Sequence, residues 1–141
     1  MFTLTQVSPM YARCYRSVPQ NQSLPVVMTD DVVESCIIKD QTIENGDYSN
    51  TRFRRVVFQN CRFINCDFSG VELLETRLIG CDLKGSSFDS SVWSDTIAWL
   101  CHGIKIVGAK MSNAVFEDCG ISCDDLSNCS VESVEIIQGT L

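Results

Sequence analysis

Fourteen positions spaced five apart are all apolar: Val33, Ile38, Ile43, Tyr48, Phe53, Phe58, Phe63, Phe68, Leu73, Leu78, Leu83, Phe88, Trp93 and Ala98. In a chain that is 45% hydrophobic, such a run arises by chance at about one in 10⁵ before allowing for the choice of phase. A five-residue period fits neither a helix nor a strand. It calls for a fold in which every fifth side chain returns to the same depth, and repeats of this kind decide the architecture before local propensity does. A second register follows at Ile106, Met111, Phe116, Ile121, Leu126, Val131, Ile136 and Leu141. The gap between the registers, Ala98 to Ile106, is eight residues. The simplest reading is one unit with three extra residues within 99–105, forming a bulge or short loop in an otherwise continuous stack.

Two residues before each apolar centre the chain is mostly small, as at Cys36, Thr51, Val56, Cys61, Cys66, Thr76, Cys81, Ser86, Ala109, Ala114, Cys119 and Cys129. Each unit thus predicts two inward positions, one wide and one narrow. The residue just before the centre is usually polar, as at Arg62, Asp67, Glu72 and Asp82, and is expected to face water. Turn formers often follow, as in Ser69-Gly70 and Lys84-Gly85. Asp31, Gln41 and Asp124 fall at narrow positions, where an inward carboxylate or amide is costly without partners. For Asp124 the expectation is a local bulge over 123–125.

The runs Cys66-Asp67-Phe68-Ser69-Gly70 and Cys81-Asp82-Leu83-Lys84-Gly85 resemble the pentapeptide-repeat family, whose unit is small, Asp or Asn, Leu or Phe, polar, Gly. The resemblance covers residues 31–141 and implies a right-handed quadrilateral parallel β-helix, an all-β solenoid with four units per square coil. Residues 1–30 are expected to form an N-terminal cap or arm. Residues twenty apart should stack, so that Phe53 lies on Val33 and under Leu73, and Tyr48, Phe68 and Phe88 form a column. With strands ~4.8 Å apart, between five and six coils give a rod of roughly 26 Å. The expected core is Phe53, Phe58, Phe63, Phe68, Leu73, Leu78, Leu83, Phe88, Phe116 and Ile121.

Net charge is −7, unevenly placed. Arg52, Arg54, Arg55 and Arg62 cluster with no acid among them, whereas the C-terminal stretch holds Glu117, Asp118, Asp124, Asp125, Glu132 and Glu135 without a Lys or Arg. The expected rod has a basic patch in its early coils and an acidic end; these are the candidate partner surfaces. So acidic a chain argues against direct nucleic-acid binding. No apolar run reaches the ~18 residues of a membrane helix, and the start lacks the pattern of a signal peptide.

Nine cysteines raise disulfide and metal readings. Most lie at the narrow inward position, where a thiol acts as a small hydrophobe, and no C-x-x-C pair occurs. Reduced, buried cysteines and a reducing, cytoplasmic compartment are expected. Cys101, His102, Cys119 and Cys123 form a conceivable zinc set, and Cys101 with His102 a conceivable dyad. The spacing fits neither, and no orienting third group is evident.

No catalytic constellation, cofactor site or metal site emerges. The expected function is a non-enzymatic protein-interaction module or scaffold. The resemblance implies two settings, the β-helix of a bacterial effector or multidomain protein, and an acidic DNA mimic that binds a type II topoisomerase. Either acts through a protein partner, with self-association expected at an uncovered coil end.

Overall fold

The computed structural model describes residues 2–4, 12–14 and 24–138. Strands Phe2–Leu4 and Ala12–Cys14 pair antiparallel. Every other strand pairing is parallel, and below the Cys101–Gly103 unit each joins residues twenty apart, as in Val33 with Phe53 and Phe53 with Leu73. The chain therefore climbs as a square coil. We number its faces in chain order by the centres of the first coil: Met28, Val33, Ile38 and Ile43.

The second and third faces carry continuous strand ladders. Strands Val32–Lys39 and Arg52–Gln59 turn a corner and serve both faces; above them each face has its own three-residue strands. The first face is tied mainly by isolated bridges, Val27 to Asp47 to Asp67 to Ser87. Its aspartates fold back locally: Asp47 and Asp67 accept the backbone N–H two residues on, at 3.1 and 2.9 Å. That explains why an acid precedes an aromatic and a serine in those units, beyond facing water.

Every fifth residue, two past the centre, turns the corner with positive φ, from Asp30 and Asn45 to Asn65, Gly80 and Leu100. Asn and Gly are common there because they tolerate this conformation best.

The wide position fills the interior. Phe53, Phe58, Phe63 and Tyr48 enter one coil from four sides and meet edge to face, with Phe58 and Phe63 centroids 5.7 Å apart. Between coils the rings stack, Tyr48 on Phe68 at 5.2 Å and Phe68 on Phe88 at 4.7 Å. All ten expected core residues are buried. Each buried ring contributes roughly 2–3 kcal/mol of apolar burial. Burial raises the pKa of Tyr48, whose hydroxyl donates to the Pro25 carbonyl at 2.6 Å.

The narrow position has a chemical reason as well as a steric one. At most of its cysteines, serines and threonines below the short unit, the side chain donates to the carbonyl 23 residues earlier, one coil below. Thr76 donates to Phe53 O at 3.2 Å, Ser86 to Phe63 O at 2.8 Å, Thr96 to Leu73 O at 2.9 Å and Cys101 to Leu78 O at 3.2 Å. Thr51 does the same to Met28 O. Cysteine, serine and threonine recur here because each is small and can satisfy a buried acceptor.

The break in the period is the reverse of what the spacing suggests. His102 still bridges Asp82, twenty residues back, but Met111 pairs with Trp93, eighteen back. The corners at Leu100, Gly103 and Gly108 show that the unit Cys101-His102-Gly103 has three residues and no wide one. The fourth face is thus two residues short, not three residues long. Gly103 has φ +78°, and a Cβ there would lie 2.8 Å from the Lys84 backbone. Glycine permits both the turn and the approach.

At the upper end, Cys123–Leu126 forms a 3₁₀ turn that leaves Asp124 exposed, as the expected bulge requires, while Leu126 stays inward. Val131 continues the register in pairing with Met111 but is 52% exposed, because it lies in the last described coil. Leu141 and most of residues 1–23 lie outside the described residues. Among the described residues no helix is long and apolar enough to cross a membrane.

Candidate functional site

The basic cluster is not a free basic patch. Arg52 meets Glu72 at 3.0 Å, Arg54 meets Glu34 at 3.5 Å, Arg55 meets Glu75 at 3.5 Å and Arg62 meets Asp82 at 3.6 Å. Each acid lies in the coil above or below its arginine. Sequence proximity shows four adjacent cations; the twenty-residue stacking interleaves them with anions.

The acidic residues divide among faces. Asp124 and Asp125 lie in the 3₁₀ turn, where Asp125 accepts the backbone N–H of Ser122 at 2.8 Å. Glu132 is on the second face. Glu117 and Glu135 share the third face, and Asp118 turns its corner, donating its backbone N–H to Ile137 O at 2.8 Å.

That third face differs from its neighbours. Its outward side chains form two rows. One runs Ile37, Val57, Arg77, Ile97, Val115, Glu135; the other runs Lys39, Gln59, Ile79, Trp99, Glu117, Ile137. Seven of these twelve are large and apolar, on the side of the sheet away from the core. Ile37 is 43% exposed, Trp99 41%, Ile137 41%, and Leu100 at the adjoining corner 43%. Parallel ladders favour β-branched residues, but an outward tryptophan beside an outward leucine goes beyond strand propensity. Contiguous exposed apolar surface marks interaction sites. Sequence reasoning missed this face because it followed the centres; the signal is the pair of flanking positions read at a period of twenty.

Cys61, Cys81, Cys101 and Cys119 form a buried column on the fourth face, each donating to a carbonyl of the coil below. The neighbouring Cys101 thiol, with burial, pushes the pKa of Cys81 and Cys119 up. His102 points outward and Cys123 is exposed in the 3₁₀ turn, so the structure does not bring the conceivable zinc set together. Nor does it form a dyad, since Cys101 faces in and His102 faces out. The expectation of reduced thiols fails at Cys36, which is disulfide-bonded. It lies in the lowest coil, outside the Cys61 to Cys119 column.

The repeat is also recognised by comparison: the family model for pentapeptide repeats matches residues 48–89 in eight copies. Residues 48–89 are a run of pentapeptide repeats. Among solved structures, the chain is similar to the pentapeptide repeat protein Rfr23 from the cyanobacterium Cyanothece 51142. Identity is 12%, over 79% of this chain and 87% of that one, with a TM-score of 0.38. It is also similar to a trypsin-treated variant of QnrB1, a plasmid-mediated fluoroquinolone resistance protein. There identity is 12%, over 88% and 89% of the two chains, with a TM-score of 0.24. Comparison with curated proteins gives no match.

Proposed function

We propose that this chain is a non-catalytic protein-interaction module that docks a protein through its third face. The observation that carries the reading is the outward apolar strip around Trp99, Leu100 and Ile137, on a rod whose interior is filled by its own side chains. Glu117 and Glu135 border the strip at its upper end. Aromatic anchors ringed by polar groups are the usual composition of an interface centre. The function is a scaffold's, in which a rigid flat face presents side chains at fixed spacing.

The test is affinity capture with quantitative mass spectrometry. Wild type runs beside Trp99→Ser/Leu100→Ser and beside Arg62→Ala, which alters the fourth face. A protein held by wild type and Arg62→Ala but lost by the third-face variant supports the reading. Capture unaffected by the third-face change overturns it.

A second reading is an acidic rod that occupies the DNA-binding saddle of a type II topoisomerase. The ion pairing of Arg52, Arg54, Arg55 and Arg62 favours it, because it removes the basic patch that would oppose such docking. A supercoiling assay with purified gyrase decides it. Inhibition or quinolone protection supports the reading, and a rod without effect on the enzyme removes it.

A further inference from the structure

We infer that the occupant of the third face is a second copy of this chain, laid antiparallel to the first. The inference rests on the reading of that face as a docking surface and names its partner. Charge along the face separates by height. Lys39 and Arg77 belong to the lower coils, and Glu117 and Glu135 to the upper ones. None of the ion pairs among the described residues uses any of these four. On the neighbouring second face and its corner, by contrast, arginines and glutamates alternate coil by coil and neutralise one another within the chain.

A self-complementary pairing follows from two-fold symmetry. Rotation about an axis along the strand direction, midway between the Leu78 and Ala98 levels, turns the rod upside down and keeps each row opposite itself. Lys39 then faces Ile137 of the other copy with Glu135 diagonal to it at the same level, and Ile79 faces Trp99 of the other copy. Ile79, Ile97 and Trp99 meet the middle of the other copy, where Arg77 faces Ile97, and at each end Lys39 lies diagonal to Glu135, with Asp40 turning the corner beside it. The parallel alternative brings Glu117 and Glu135 level with their own copies, a like-charge arrangement that interfaces avoid. The face is only about three residues wide, so the buried area falls at the low end of specific interfaces and the dimer is reversible.

Analytical ultracentrifugation of the full chain from about 5 to about 500 μM covers the affinity range of so small an interface. The expected result is a concentration-dependent dimer. Trp99→Glu weakens it about tenfold or more, as loss of a central aromatic anchor does. Lys39→Glu and Glu135→Lys each weaken it several-fold, and the double variant recovers most of the loss, because the swap restores opposite charges at the same level. Unchanged thermal unfolding shows that each variant is folded. A wild type that stays monomeric overturns the inference, and the capture experiment then decides separately whether a different protein uses the face. A dimer indifferent to Trp99→Glu but lost in Val131→Glu overturns it in favour of end-to-end stacking. A double variant no better than the single ones overturns the antiparallel arrangement.

Discussion

Arg52 and Glu72 are twenty residues apart in sequence and 3.0 Å apart in space. The same vertical step joins Arg62 to Asp82 and Arg55 to Glu75. These pairs are exposed, so each contributes little to stability, about 0–1 kcal/mol. Their larger effect is on the field of the rod, because they cancel the charge of a cluster that looks strongly basic along the chain. Glu72→Arg stacks two arginines and should lower the melting temperature more than Glu72→Ala does, by a margin that shrinks in high salt. Thermal unfolding at low and high ionic strength checks this.

Core and surface should respond unequally. Phe63 is 1% exposed and touches the rings of Tyr48, Phe58 and Phe68. Phe63→Ala should cost ~3–5 kcal/mol through lost burial and a cavity. Its neighbour Arg62, in a 3.6 Å exposed ion pair, should cost less than about 1 kcal/mol as Ala. Urea unfolding of the two variants gives the comparison, and similar small losses would count against the register.

How much of this was legible in the sequence follows from which separation each feature depends on. The wide and narrow positions repeat every five residues, so Phe53, Phe68 and Cys81 could be placed without coordinates. The ion pairs and the apolar third face repeat every twenty, and Trp99 beside Leu100 in the chain gives no hint that Ile79 and Ile137 extend the same strip. The shortened unit was misread for another reason. A gap of eight is compatible with one long unit or with a normal and a three-residue unit, and the corners at Leu100, Gly103 and Gly108 decide between them. The donor role of the narrow side chains was hidden because the acceptor lies 23 residues away.

Gly103 should be hard to replace. Its φ of +78° and the 2.8 Å approach of a Cβ to the Lys84 backbone act together. Gly103→Ala should destabilise by about 1–3 kcal/mol. Gly120, also at positive φ but with open space around it, should lose about 1 kcal/mol or less as Ala. Chemical denaturation of both variants separates the steric cost from the conformational one.

The thiols of the column should be replaceable by hydroxyls. Cys81 donates to Phe58 O at 3.5 Å, and a serine there can make the bond that Ser86 makes to Phe63 O. Cys81→Ser should change stability by less than about 1.5 kcal/mol, whereas Cys81→Leu, which overfills the narrow site, should cost about 1–3 kcal/mol. Melting temperatures under reducing conditions test the pair.

Asp31 gives the lower end a pH dependence. Its Oδ1 is buried without a hydrogen-bond partner, and burial, with the adjacent Asp30 charge, pushes its pKa up to about 6. The folded state then binds a proton more tightly than the unfolded chain. Stability falls as pH rises from about 4 through about 6 and is level above that. Asp31→Asn should flatten this slope and raise stability at neutral pH by on the order of 1 kcal/mol, since the side chain is only partly buried. Unfolding curves between about pH 4 and pH 8 show whether the slope belongs to Asp31.

The docking role of the third face has a reporter built into it. Trp93 is fully buried, whereas Trp99 is 41% exposed on the proposed surface. Acrylamide quenching of tryptophan fluorescence, with Trp99→Phe to isolate the Trp93 signal, reads the occupancy of that face. The measurement compares dilute protein with concentrated protein and with any captured partner. The account predicts ready quenching of Trp99 in the dilute chain and clear protection once the face is occupied. Quenching of Trp99 that stays the same while a partner or second copy is demonstrably bound would contradict it.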